Sequence, residues 1–107
     1  MAFDIDQTLA GMVKAAAGVL GGEWPGVEAC VNKAFQNEAT ALDAIAKKRL
    51  NQEITDEQME EQFKFEKDAL EADLLVCKVK TRIAAQNAVN AAANILSGAI
   101  KSALKVL

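Results

Sequence analysis

The chain has 107 residues, 51% of them hydrophobic and 25% charged, with a net charge of −3. That length sets one domain over residues 1–107, and the apolar fraction excludes a disordered chain. It contains no His, so every Ser–His, Cys–His and His-based zinc constellation is excluded, and with them most familiar catalytic arrangements. Five aromatic residues, Phe3, Trp24, Phe35, Phe63 and Phe65, are too few for a base-stacking platform, and the acidic balance disfavours duplex DNA. Abundant alanine and one proline point to an all-α fold.

The first helix is expected from about residue 6 to 20. Ile5, Leu9, Met12, Val13, Ala16 and Val19 recur at three- and four-residue steps. Asp4 and Asp6 suit the positive end of a helix dipole, and Gly21-Gly22 supplies a stop. Gly11 and Gly18, one heptad apart, are either tolerated small residues or points of close helix approach.

Trp24-Pro25 marks a break, because proline disfavours a helical residue before it and fits a first turn. A second helix is expected over 25–50, with Val27, Cys30, Val31, Ala34, Phe35, Ala41, Leu42 and Ile45 inward. Lys47, Lys48 and Arg49 then form a solvated basic end. The tripeptide Trp24-Pro25-Gly26 between two helices resembles the Trp-x-Gly turn of small secreted helical-hairpin proteins that form dimers. The match covers three residues and has proline at the central position. It implies a secreted helical hairpin as one alternative.

Thr55 opens the third helix. Gln58 stands three residues on, as a capping box requires, and Ile54 and Met59 are spaced for a hydrophobic staple. From Asp56 to Ser97 there is neither Gly nor Pro, so the pattern predicts one helix over about 56–104. Those 42 residues alone would span about 63 Å at 1.5 Å per residue. The expected fold is therefore an elongated antiparallel hairpin, or a three-helix bundle, with one very long C-terminal helix completed by oligomerisation.

Continuous helical winding gives this segment two opposed apolar stripes. One holds Met59, Phe63, Leu70, Leu74, Cys77, Thr81, Ala84, Ala88, Ala92, Ile95 and Ala99. The other holds Phe65, Ala69, Ala72, Val76, Val79 and Ile83. A helix with one neighbour needs one stripe, so the second is assigned to self-association, a homodimer being the simplest product. Charge also divides: residues 1–73 carry 15 acids and 7 bases, whereas 74–107 carry 5 bases and no acid. That division suits the dipole of one continuous helix; it also suits head-to-tail or antiparallel pairing of two copies, or contact of the basic end with an anionic membrane.

Asn87, Asn90, Asn94, Ser97, Lys101 and Lys105 line one side of an amphipathic C-terminal stretch. Its bland role is bundle packing; the alternative is contact with a membrane surface. Glu57, Glu60, Glu61, Glu66, Glu71 and Asp73 read as a solvated face, with no His to complete a carboxylate metal site. Cys30 and Cys77 lack C-x-x-C spacing and read as reduced, buried thiols, with a structural disulfide or redox pair as the alternative; reduced thiols and the acidic N-terminus together suggest a cytoplasmic address.

The functional expectation is a non-enzymatic protein acting through association with itself, and also as an adaptor or inhibitor of another protein. No catalytic residue, cofactor or metal is assigned, and neither nucleic acid nor a membrane is the expected partner. A small hydrophobic-ligand site around Trp24, Phe35 and the cysteines is a further alternative.

Overall fold

The computed structural model describes residues 3–106. Among them lie four α-helices, α1 (Ile5–Leu20), α2 (Trp24–Leu50), α3 (Asp56–Val76) and α4 (Arg82–Lys105). A single 3₁₀ turn, Gly21–Glu23, joins α1 to α2. Short connections make sequence neighbours antiparallel, and α4 returns to lie along α1. The Cα radius of gyration is 13.5 Å and the principal extents are 40 × 22 × 19 Å. These are the dimensions of a compact globule of this length, not of an elongated hairpin.

Each helix start has a local cause. Asp4 caps α1: its Oδ1 accepts from the backbone N–H groups of Asp6 and Gln7 at 2.9 and 3.3 Å. Gly21 ends that helix at φ +54°, a conformation that glycine adopts without a Cβ penalty. Pro25 sits in the first turn of α2, where its missing N–H costs nothing. The capping box at Thr55 is complete. Thr55 Oγ1 accepts from Gln58 N–H at 3.1 Å, and Gln58 Oε1 accepts from Thr55 N–H at 2.9 Å. Met59 is buried and Ile54 packs on the core beside it.

The long third helix does not exist. Residues 77–81 break it into α3 and α4, and no glycine is involved. Val79 N–H donates to the Leu74 carbonyl at 3.1 Å, and Lys78 N–H donates to that of Leu75 at 3.0 Å. This is a Schellman motif, with Lys78 at φ +74° in the position glycine usually holds. Its usual hydrophobic contact is present, since Val79 and Leu74 are both buried. Thr81 then caps α4 through a 3.0 Å bond from Ala84 N–H. The α2 C-terminus repeats the device: Glu53 N–H reaches Lys48 O at 2.8 Å, with Gln52 at φ 61°. A left-handed non-glycine residue costs about 1–2 kcal/mol. Folding back lets α4 lay its alanine-rich face on α1, which offsets that cost many times over.

The break also resets the phase of burial. Before it, Met59, Phe63, Leu70 and Leu74 are buried as the periodicity predicts. After it, the buried set is Ala85, Ala88, Val89, Ala92, Leu96, Ile100 and Ala103. Ile95, expected inside, is exposed. In α1, Leu9, Met12, Ala16 and Leu20 are buried, while Val19 faces out. The α1–α4 seam is close at Gly11, where an added Cβ would stand 3.2 Å from Ile95 Cγ2; Gly18 has open space around it.

Candidate association surface on the third helix

Four of the expected contact residues share one side of α3. Phe65, Ala69, Ala72 and Val76 follow at steps of four, three and four, so they form one stripe along about 16 Å of helix. The core-facing side of the same helix carries Met59, Phe63, Leu70 and Leu74. The stripe therefore points directly away from the bundle. All four residues are exposed, Phe65 at 76% and Val76 at 77%.

The other two expected members fare differently. Val79 is 4% exposed, because the Schellman turn folds it inward against Leu74; it is not part of any outer face. Ile83 is 69% exposed but lies in the first turn of α4, beyond the break. The continuous winding that placed all six residues in one row ends at residue 77.

Acidic side chains border the stripe. Glu57, Glu61 and Asp68 are exposed on α3, and the exposed bases Lys78, Lys80 and Arg82 cluster just past its C-terminus. Within the chain, Arg82 reaches Glu71 at 3.9 Å, a loose surface pair. Lys80 is held by its backbone, whose N–H donates to Glu23 Oε1 at 2.8 Å. That bond fastens the α3–α4 connection to the α1–α2 turn and leaves the Lys80 side chain in solvent.

The cysteines are neither free nor both buried. Cys30, in the second turn of α2, is exposed, and it forms a disulfide with Cys77 at the end of α3. Cys30 lies at the rim of the α2–α3 seam rather than within the core, so the bridge to Cys77 closes at the rim. Helical periodicity places a residue on a face but does not say that two faces meet, and the pairing was not legible from spacing. Disulfides persist where glutathione and thioredoxin do not reduce them, so the expectation of a cytoplasmic address loses the support it drew from free thiols. Among the described residues, no helix is long and apolar enough to cross a membrane.

One further group went unnoticed in the sequence. Glu38 of α2 turns into the α2–α3 seam beside Glu66 and Asp73, and its Oε2 is buried without a hydrogen-bond partner. Burial raises its pKa to about 7, helped by a hydrogen bond to Glu66 and by the charges of Glu66 and Asp73. Two carboxylates cannot hydrogen-bond to one another. A proton on Glu38 lets it donate to Glu66, which stabilises the neutral form.

The other expected sites take definite places. Phe35 is fully buried and Trp24 packs at the edge of the core, so they do not line the groove by the disulfide. That groove is formed by Cys30, Lys33, Ala34, Asn37, Asp73, Val76 and Cys77. An apolar gap among Met12, Leu42, Phe63, Leu70, Val89 and Leu96 measures ≈ 10 Å³. A wider open groove of ≈ 690 Å³ lies between α1 and α2, lined by Asp6, Leu9, Val13, Asn32 and Gln36. The apolar face of α4 is consumed by the bundle, and Asn87, Asn90, Asn94, Lys101 and Lys105 are exposed on its far side.

Fold and surface together define a class: an all-helical protein with a cross-linked α2–α3 pair and one helix whose outer face is apolar. No family model matches this sequence, no curated protein matches it, and no solved structure matches it.

Proposed function

We propose that this protein works by protein–protein association, with the outer face of α3 as the contact surface and a second copy of the chain as the primary partner. The observation that carries this reading is the pair Phe65 and Val76, about three-quarters exposed on one side of one helix. The other exposed large apolar residues, Val19, Ile83, Ile95 and Val106, lie on α1, on α4 and just past its end. Burying a large apolar side chain stabilises by about 1.5–3 kcal/mol, and a two-fold dimer covers two copies of each residue at once. Ala69 and Ala72, between the two anchors, let a facing helix approach closely. A role as adaptor or inhibitor would use the same face with a different protein.

Val76→Asp tests it. The substitution lies on the solvent side of α3, so the monomer fold should survive with an unchanged circular dichroism spectrum. Sedimentation velocity at tens of micromolar should show a dimer for the parent chain and a monomer for the variant, because the charge would be desolvated in the seam. A parent chain that sediments as a monomer at several hundred micromolar would overturn self-association.

A further inference from the structure

The distribution of charge around the stripe fixes how two copies would meet. This inference rests on the association reading and gives it a geometry. The stripe is nearly symmetric about its midpoint: Ala69 and Ala72 lie beside the centre, and Phe65 and Val76 lie equally far out on either side. A two-fold axis through that midpoint sets small residue against small residue. It also sets each large anchor against the other kind of anchor. The ends of the stripe are not alike in charge. The N-terminal end carries exposed Glu57 and Glu61, and beyond the C-terminal end stand exposed Lys78 and Lys80.

Parallel pairing would put acids beside acids and bases beside bases. Antiparallel pairing puts each acidic end beside the partner's basic end, and the two-fold makes that contact twice. The intrachain alternative is excluded by distance. Glu61 and Val76 are 15 residues apart on one straight helix, about 22 Å, so the basic cluster beyond Val76 does not fold onto the acids of its own chain.

We infer that the chain forms a two-fold antiparallel α3–α3 dimer, with Phe65 against the partner's Val76 and Glu57 and Glu61 facing the partner's Lys78 and Lys80. The left-handed turn at Lys78 marks the C-terminal end of the stripe. It ends α3 where the stripe ends and leaves both lysines exposed on the short connector.

Charge reversal and its repair test the geometry. The variants are Glu57→Lys with Glu61→Lys, Lys78→Glu with Lys80→Glu, and all four together. Dimer dissociation constants come from sedimentation velocity at low and moderate salt, with thermal melts to verify folding. Each reversed pair should weaken the dimer on the order of tenfold or more at low salt. The fourfold variant should recover to within a few-fold of the parent, because attraction is restored with the signs exchanged. A parent dimer that none of the variants perturbs, or a fourfold variant as weak as the reversed pairs, would overturn the antiparallel arrangement while leaving association intact. A parent chain that stays monomeric overturns both. Unchanged affinity in every variant is the outcome that parallel packing produces, since reversing one end on both copies leaves like charge beside like charge.

Discussion

Reducing the Cys30–Cys77 bond should cost this protein much of its stability. The bridge closes a loop of sequence separation 47, which holds the whole of the α2–α3 hairpin turn. The chain-entropy relation for such a loop gives a loss of about 13–14 cal/mol/K in the unfolded state, or about 4 kcal/mol at 25 °C. That figure is an upper value, since strain and residual structure both reduce it. Small domains have total stabilities of roughly 5–15 kcal/mol, so the bridge accounts for a large share. With an unfolding entropy of about 2.1 cal/mol/K per residue, 4 kcal/mol corresponds to a fall in Tm of roughly 18 °C. The assay is a pair of thermal melts by circular dichroism, with and without a phosphine reductant, repeated on Cys30→Ser with Cys77→Ser. The double variant should melt with the reduced protein and ignore the reductant. A thiol titration of the denatured, unreduced protein should find neither cysteine free. Two reactive thiols in that titration would refute the pairing, and melts that agree within a few degrees would refute the entropic reasoning.

Three other perturbations have definite outcomes. Thr55→Ala removes the oxygen that accepts Gln58 N–H and should destabilise by about 1 kcal/mol in urea titration. Lys78→Gly relieves a left-handed backbone at φ +74° on an exposed side chain and should stabilise by up to ~1 kcal/mol, measured the same way; destabilisation would show that glycine's entropy outweighs the strain. Glu38 concerns pH. Its pKa is raised from 4.5 to about 7, so the folded state holds a proton that the unfolded state has released. Its contribution is therefore fully present below about pH 4.5 and is lost as pH rises through about 7. Glu38→Gln should abolish that decline, raising Tm relative to the parent at pH 8 and changing it little at pH 5. Equal effects at both values would show that Glu38 is ionised throughout.

The local signals in the sequence carried a long way. Asp4, Gly21, Pro25 and the Thr55–Gln58 box all act where their chemistry says they should, because a cap or a turn is decided by a few neighbouring backbone groups. Helical periodicity separated the two sides of α3 correctly, with Leu70 and Leu74 inside and Phe65 and Val76 outside. The absence of Gly and Pro, by contrast, gave no reason to end a helix at residue 77. A signal was present but faint: Thr81 is a competent N-cap, and Val79 supplies the apolar residue that a Schellman turn buries.

What the sequence alone determined was the helical class, the starts of the first three helices and the amphipathic identity of α3. Tertiary structure decided the rest. Lys78 is driven left-handed because α4 gains more from lying on α1 than a straight helix gains from one unstrained residue. Cys30 and Cys77 meet because two helices are laid side by side, and Glu38 is pressed towards Glu66 for the same reason. Val79 left the outer stripe as soon as the chain turned. Local chemistry is written in consecutive residues, but which apolar face meets which is settled by the free energy of the whole bundle, and no segment of the sequence contains that sum.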